Sequence, residues 1–354
     1  ICRGWRNYIR DYFYQDKPLY RGHKIKNAKM KAPNFWHNDG LIPRILEPAA
    51  QILNLFSIMR YALGSNSNIG VPTICIGNIV SGGAGKTPVA LSIAKKLHNN
   101  YNVNFLTRGY GGKLSGPIQV DPNRHRIDEV GDEALVLANV ATTWVAKDKK
   151  LGALSAKNMG AEIIIMDDGF QNPSVYKTLS LLVIDGPYGF GNGRLIPAGP
   201  LREKISSGLR KADAIVLIGD AKRSVKEVLP ADIPVLQAST IPDNTNLELS
   251  NNNVIGFAGI GRPEKFLNTL KSMDLNIVDF VSFPDHYVFK ETEIFQLQEK
   301  AAQHDAVLVT TLKDMKRVPR KVAHLCRTVE ISIIWEDDSK IQQLLDSTIQ
   351  NETN

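Results

Sequence analysis

The chain has 354 residues, 43% of them hydrophobic and 22% charged, and its mean hydropathy is −0.17. These values are typical of globular proteins and exclude a collagen-like fibre, a globally disordered chain and a protein with several membrane spans. The formal net charge of +7 lies in residues 1–31, which hold nine Lys or Arg and two Asp, so the rest of the chain is neutral. The three cysteines form no Cys/His cluster, which excludes a disulfide scaffold and a zinc ribbon.

Residues 1–29 form a basic segment that also contains several aromatic side chains. We expect this segment to be a disordered extension ahead of the folded protein. The same mixture would suit phosphate contacts with base stacking, or contact with lipid headgroups. Because the rest of the chain carries no net charge, no nucleic-acid partner is expected for the folded part.

Residues 45–63 are predicted to be a helix, with thirteen of nineteen positions apolar. The helix is too short, and too interrupted by polar residues and a proline, to span a bilayer. Two interpretations remain: a helix packed in the core, which the residues alone favour, or a helix lying in a membrane interface. Its polar residues recur every three or four positions and form one narrow stripe: Glu47, Gln51, Asn54, Ser57 and Arg60.

A phosphate-binding loop is predicted between a strand at Val71–Gly77 and a helix at Pro88–Asn99. Its glycines allow main-chain N–H groups to surround phosphate oxygens, and the helix start adds positive potential. The lysine of such a loop reaches the β- and γ-phosphates, and the threonine hydroxyl can bind Mg²⁺. Val80 departs from the common pattern, which has a glycine at that place. The candidate nucleotide-binding residues are Gly82, Gly83, Ala84, Gly85, Lys86 and Thr87.

Acidic residues follow at two places that can face this loop. A β-branched run after Glu162 is typical of a buried parallel strand, and its last residues, Asp167 and Asp168, should lie at the ligand-binding edge of the sheet. One of them can hold Mg²⁺ opposite the threonine. Two further acids, Asp132 and Glu133, lie at the start of a helix predicted over Glu133–Asn139. They are either helix caps or, if a phosphate binds nearby, a general base and its neighbour.

Three loop arginines are candidates for contact with phosphoryl charge. Arg108 follows a strand predicted over Val103–Leu106, and Arg194 and Arg202 lie in a loop rich in glycine and proline. Guanidinium groups bind phosphate oxygens in bidentate fashion, although a solvated loop arginine is nearly as common.

The second half of the chain resumes the alternation of strands and helices after a linker at 240–253. We therefore predict an α/β protein with a P-loop NTPase-type, mostly parallel sheet flanked by helices, a second smaller α/β domain and an N-terminal amphipathic helix. The expected divisions are a basic extension at 1–29, a helical region at 30–70, a P-loop kinase domain at 71–240, a smaller domain at 241–340 and a tail at 341–354.

Taken together, several motifs resemble those of the tetraacyldisaccharide 4′-kinase family of lipid A biosynthesis. They occur in family order over residues 30 to about 335. The resemblance implies ATP- and Mg²⁺-dependent phosphorylation of the 4′-hydroxyl of a tetraacyldisaccharide 1-phosphate, giving the bisphosphorylated lipid A precursor, lipid IVA. The motifs are GNIVSGGAGKTP (Gly77–Pro88), TRGYGG (Thr107–Gly112), GDEA (Gly131–Ala134), DDGFQ (Asp167–Gln171), PAGPLRE (Pro197–Glu203), FPDHYVF (Phe283–Phe289) and TLKD (Thr311–Asp314).

The resemblance also implies roles for individual residues and a location. Asp132 matches the family's proposed base, His286 matches its partner from the other domain, and Lys86 completes the catalytic set. The resemblance places the protein at the cytoplasmic side of the bacterial inner membrane, bound peripherally through residues 45–63, and implies an acylated disaccharide lipid as substrate. It gives no oligomeric state or acyl-chain preference. The residues implied on the metal side are Thr87, Glu133, Asp167 and Asp168.

The main alternative is a regulatory GTPase or a metallochaperone-type NTPase with a similar loop. Guanine selectivity normally needs an NKxD-like strand end, and metal handling needs Cys/His pairs. The sequence has no Cys/His cluster, and its nearest match to NKxD, the TLKD segment, has its lysine one position too late. One departure from the resembling family is Ala134, where a proline is usual; it should affect entry into the helix rather than chemistry.

Overall fold

The protein is described by a computed structural model that covers residues 33–243 and 252–353. The predicted extension at 1–29 lies outside the described residues. Within them, thirteen strands are distributed over two sheets: β1 (Thr73–Gly77), β2 (Val103–Thr107), β3 (Ile118–Gln119), β4 (Thr142–Val145), β5 (Ile163–Asp167), β6 (Leu179–Asp185), β7 (Ala214–Ile218), β8 (Val235–Pro242), β9 (Asn253–Ala258), β10 (Asn276–Ser282), β11 (Ala306–Thr311), β12 (Arg327–Val329) and β13 (Ile331–Trp335).

Helices pack around these sheets, and the described residues also contain two short 3₁₀ segments, Asn34–His37 and Ala323–Leu325. The helices predicted over Pro88–Asn99 and Glu133–Asn139 begin within two residues of the predicted positions, whereas the helix predicted over 45–63 already begins at Leu41. The α-helices of the described residues are α1 (Leu41–Ala62), α2 (Lys86–Leu97), α3 (Ile127–Val130), α4 (Asp132–Leu137), α5 (Lys149–Asn158), α6 (Ile205–Arg210), α7 (Arg223–Lys226), α8 (Pro263–Lys271), α9 (Glu291–Gln303), α10 (Leu312–Met315) and α11 (Asp338–Thr353).

In the described part of the chain, the large sheet has nine strands in the order β13-β8-β7-β6-β1-β5-β2-β4-β3. Its inner strands are parallel, and only the pairs β13/β8 and β3/β4 are antiparallel. Every residue of β1, β5 and β6 is buried, as expected for parallel strands covered on both faces. The carboxyl ends of β1 and β5 are therefore adjacent, and this position favours a ligand site.

The small sheet is parallel and has the order β10-β9-β11-β12 among the described residues. Aromatic side chains fill its core, where Phe257 contacts Phe283 and Phe289 edge to face. We call the two parts the large unit and the small unit.

The chain returns to the large unit at its end, which corrects two predicted divisions. β13 pairs antiparallel with β8, and α11 buries Ile341, Leu345 and Ile349 in the core of the large unit. The small unit thus ends before residue 331, and the predicted tail at 341–354 lies mainly in a packed helix. The alternation of strands and helices alone does not reveal which sheet a late strand joins.

Helix α1 presents its apolar side to the outside, which contradicts the interpretation as a core helix. Leu41, Phe56 and Met59 are 72%, 64% and 49% exposed. Part of the polar stripe faces the protein instead: Glu47 accepts a hydrogen bond of 2.7 Å from Arg194, and Asn54 is buried, whereas Gln51 and Arg60 are exposed. None of the helices in residues 33–243 and 252–353 has the length and hydropathy of a membrane span.

Candidate active site

The phosphate loop connects β1 to α2 at the carboxyl edge of the large sheet. Gly85 has a φ of 94°, and a Cβ atom there would lie 2.5 Å from Ile218 Cδ1, so glycine is required. Lys86 starts the helix and donates a 3.0 Å hydrogen bond to Asn78 Oδ1. The Thr87 hydroxyl donates to Asp167 Oδ2 at 3.2 Å. The loop therefore brings an ammonium and a hydroxyl to the carboxyl end of β5.

The two acids at the carboxyl end of β5, Asp167 and Asp168, have different surroundings. Asp167 is 1% exposed, and its Oδ1 has no hydrogen-bond partner among the described residues. Burial, and to a lesser extent the Glu133 charge, raise its pKa. Asp168 has a left-handed backbone with φ of 59° and accepts hydrogen bonds of 2.7 and 3.0 Å from Arg202. Burial opposes its ionisation, but Lys86 and Arg202 hold its pKa well below the usual value.

This arrangement fits a hard divalent cation. Asp167 accepts from the Thr87 hydroxyl through Oδ2, and its Oδ1 has no partner among the described residues. Carboxylate and hydroxyl oxygens are ligands that suit Mg²⁺. In residues 33–243 and 252–353, no three His, Cys, Asp or Glu side chains form a metal-binding group. With the Asp167 carboxylate and the Thr87 hydroxyl as ligands, the site suits Mg²⁺, which usually keeps several waters and also binds substrate phosphates. Of the other predicted ligands, Asp168 is ion-paired with Arg202, and Glu133 is paired with Lys313 at 2.7 Å.

Asp132 and His286 meet across the two units. Asp132 is 2% exposed at the start of α4, and its Oδ2 lies 3.1 Å from His286 Nδ1. His286 follows β10 with a left-handed φ of 57°, and its N–H donates to the Gly259 carbonyl at 2.9 Å. A non-glycine residue held in this conformation costs about 1–3 kcal/mol, which the surrounding contacts must offset.

Arg317 holds this pair together and was not among the predicted site residues. Its guanidinium is 2% exposed, donates to the Gly259 carbonyl at 2.7 Å and to Asp314 Oδ1 at 2.9 Å, and forms an ion pair with Asp132. Burial opposes ionisation of Asp132, yet the hydrogen bond with His286 and the charge of Arg317 keep its pKa well below the usual value. The TLKD motif three residues upstream was the available signal.

A second set of contacts joins the small unit to the phosphate loop. Arg262 contacts the Gly83 carbonyl and forms a 2.6 Å ion pair with Asp185, which is 4% exposed. Lys265 also pairs with Asp185. The Arg262 guanidinium lies 4.4 Å from the ring centre of Tyr188. Two cations of the small unit are thus fixed beside the loop that would bind the nucleotide.

The other predicted phosphate contacts are not all in this site. Arg202 belongs to it, and Arg108 is exposed at the end of β2. Arg194 instead pairs with Asp39 and Glu47 and fixes α1 to the large unit. In the structure its partners are thus carboxylates at the start of the chain's described part, and its contact with phosphoryl charge stays a prediction.

Lys149 is a further buried cation that the sequence analysis missed. It is 3% exposed, and its ammonium has no hydrogen-bond partner in the described part of the chain. Burial lowers its pKa to about 7, although the charges of Asp167 and Asp168 act in the opposite direction. Its position at the start of α5, after β4, gave the only clue that it lies near these acids.

Comparison with known proteins identifies the family. The family model described as tetraacyldisaccharide-1-P 4′-kinase, LpxK, matches residues 42–350. The chain belongs to the tetraacyldisaccharide 4′-kinase family. It is 43% identical over 323 residues to the tetraacyldisaccharide 4′-kinase of Rhodospirillum centenum, covering 89% of this chain and 96% of that protein. It is 45% identical over 319 residues to that of Paramagnetospirillum magneticum, covering 90% and 98%.

A solved structure supports the fold. The "apo" form of LpxK from Aquifex aeolicus in complex with ATP matches with a TM-score of 0.70 and 25% identity, covering 87% of this chain and 100% of that one. The predicted family, the α/β fold class and the enzyme class, a kinase acting on a hydroxyl group, are confirmed. The GTPase or metallochaperone alternative is not favoured.

Proposed function

We propose that this protein transfers the γ-phosphate of ATP to the 4′-hydroxyl of a tetraacyldisaccharide 1-phosphate and forms the bisphosphorylated lipid A precursor. One observation carries the proposal: the buried Asp132 of the large unit and His286 of the small unit lie 3.1 Å apart beside the phosphate loop. Their closeness to the loop follows from the packing of α4, which begins with Asp132, against α2, which begins with Lys86. The substrate in the family's description, a tetraacyldisaccharide 1-phosphate, agrees with this chemistry.

The phosphate loop would hold the β- and γ-phosphates. Main-chain N–H groups of residues 82–87 surround the phosphate oxygens, and the Lys86 ammonium turns from Asn78 and Asp168 toward them. Thr87 and Asp167 would hold Mg²⁺, which when bound neutralises charge on the phosphates. Arg202, anchored on Asp168, supplies further positive charge near the transferred group.

Asp132 would act as the proton acceptor. The 4′-oxygen attacks the γ-phosphorus, the bond from that phosphorus to the bridging oxygen of ADP breaks, and the hydroxyl proton passes to the Asp132 carboxylate. A strongly ionised carboxylate is a weak base, but phosphoryl transfer proceeds through a loose transition state that needs little proton removal beforehand. Positioning of the hydroxyl is thus the main task of Asp132 and His286.

Helix α1 would bring the enzyme to its lipid. Its outward apolar side suits the boundary between headgroups and acyl chains, and its inward polar side is fixed by Arg194. We infer peripheral attachment to the cytoplasmic side of the inner membrane, where an acylated disaccharide would lie. The exposed side chains that would enter this boundary include Ile45, Ile52, Leu55, Phe56 and Met59.

The direct test is product analysis with γ-labelled ATP and the disaccharide monophosphate in detergent micelles. We expect one labelled lipid product, no formation without Mg²⁺, and competition by ATP analogues rather than by GTP. A protein that binds ATP and hydrolyses it, but labels no lipid under these conditions, would contradict the proposal.

A further inference from the structure

A cavity of about 150 Å³ lies beside the end of α1, away from the phosphate loop. We call it the lysine cavity after the two lysines in its wall, Lys177 and Lys211. The ring of Tyr61, in the last turn of α1, forms another part of the wall, with Phe170 and Ser180. The nucleotide contacts described above do not include these side chains.

The cavity carries an excess of positive charge. Lys211 pairs with Glu203 at 2.6 Å, and its ammonium lies 4.1 Å from the centre of the Tyr61 ring. Lys177 donates to the Phe170 carbonyl at 3.2 Å and has no ion pair among the described residues. Burial lowers the pKa of Lys177, and the nearby charge of Lys211 acts in the same direction. One carboxylate thus faces two ammonium groups, and an anion would relieve their repulsion.

Hydrogen bonds connect the cavity to the phosphate loop. Glu203, 6% exposed, accepts from Gln171 at 3.0 Å as well as from Lys211. Gln171 also donates to the Asn78 carbonyl at 2.9 Å, and Asn78 accepts from Lys86. The cavity therefore lies a few side chains from the site of phosphoryl transfer, on the side where α1 ends.

The position of α1 decides what kind of anion can reach this place. Its outward apolar side would hold acyl chains, and its last turn carries Tyr61 into the cavity wall. A lipid whose chains lie along this helix would place its polar part between the cavity and the phosphate loop. The anion in the cavity would then be part of that lipid rather than of the nucleotide.

We propose that the lysine cavity binds the phosphate group that the disaccharide acceptor already carries, at the end remote from the hydroxyl that is phosphorylated. This inference rests on the proposed function and extends it by a second anchoring point. Lys177 and Lys211 donate to the phosphate oxygens, and Glu203 keeps Lys211 in place. Binding at both ends would select a disaccharide of the correct length and orient its far hydroxyl toward Asp132.

The test compares two acceptors: the disaccharide 1-phosphate and the same lipid without its phosphate. For Lys177→Met and Lys211→Met we expect KM for the phosphorylated acceptor to rise roughly tenfold or more, as for a lost hydrogen bond to a charged group. KM for ATP and kcat should change less than about twofold, because the lost contact would stabilise the bound lipid equally in the ground state and the transition state. KM for the dephosphorylated acceptor should not change. Arg in place of either lysine should restore much of the affinity.

The matched control is Lys226→Met, an exposed lysine of α7 outside the cavity, which should leave every constant unchanged. Equal effects of the cavity variants on both acceptors would overturn the proposal. The proposal would also be overturned if the loss of affinity in the cavity variants depended on the content of anionic phospholipid in mixed vesicles. The cavity would then bind a bilayer headgroup.

Direct binding separates this proposal from the proposed function. Wild-type protein should bind micelles carrying the phosphorylated disaccharide more tightly than micelles carrying the dephosphorylated one, and the cavity variants should lose that difference. The proposal fails if wild-type protein binds both micelles equally, even when it is an active kinase. An inactive wild-type protein that still shows the difference would contradict the proposed function alone.

Discussion

The phosphate loop and the Asp132–His286 pair meet at one site but are built in opposite ways. The loop is one stretch of six residues, 82–87, between neighbouring elements of the large unit. The pair joins residues 154 positions apart, and Arg317, which fixes it, lies 185 positions after Asp132. The loop can therefore form within the large unit, whereas the pair needs contact between the two units. Changes in the two regions should affect different steps of one reaction.

The largest effect is expected in the loop. Lys86→Met removes the ammonium that would contact the β- and γ-phosphates, so kcat/KM should fall by about 10³ or more. The initial rate of lipid labelling measures this change. Lys95→Met, an exposed lysine of the same helix, is the control and should keep wild-type activity. Near-normal activity of Lys86→Met would remove the loop from the mechanism.

Asp132→Asn should lower kcat by about 10²–10⁴, the usual contribution of a positioned acid or base. ATP affinity should stay within about twofold, because the carboxylate would contact the lipid hydroxyl and not the nucleotide. Single-turnover rates and fluorescent-nucleotide titration measure the two quantities. Asp128→Asn, on the neighbouring short helix, serves as control. A parallel loss of ATP binding would place Asp132 on the nucleotide side instead.

Arg317→Met should mainly affect stability. It leaves the buried carboxylates of Asp132 and Asp314 without their shared cation, a change that typically costs about 3–5 kcal/mol. Urea unfolding of wild-type, Arg317→Met and Arg317→Lys proteins measures it, and lysine should recover part of the loss. Unchanged stability of Arg317→Met would mean that the two units do not meet at this residue.

The smallest effect is expected at Arg262, whose contacts join the small unit to the loop. Arg262→Ala should raise KM for ATP severalfold, in line with about 1–2 kcal/mol for a hydrogen-bonded charge beside the phosphates. Steady-state kinetics with varied ATP measures it, and Arg223→Ala, which breaks only an exposed ion pair, is the control. An effect on kcat alone would assign Arg262 to phosphoryl transfer rather than to ATP binding.

The sequence predicts local features of the site better than contacts between residues that are distant along the chain. The phosphate loop, β5 and the two acids at its carboxyl end were predictable, because each depends on neighbouring residues. His286 carries no local signal, and only the family resemblance connected it with Asp132. Arg317 was not predicted: the TLKD motif ends three residues before it, but its contact with Asp132 depends on how the units pack.

Helix α1 shows a different limit. Its apolar arc is visible in the sequence, but a core helix and an interfacial helix share that pattern. The orientation depends on Arg194, 147 positions from Glu47, which holds the Glu47 carboxylate against the large unit. For the same reason, the pairing of β13 with β8 could not be foreseen, because it depends on partners nearly a hundred residues apart.

The central claim is that Asp132 and His286 act as one unit beside the phosphate loop. A double-mutant cycle tests it most directly, with kcat measured for Asp132→Asn, His286→Ala and the double variant at saturating ATP and lipid. We predict that the double variant is hardly slower than Asp132→Asn alone, because the histidine acts through the carboxylate. Losses that simply multiply would show two independent roles and contradict the account.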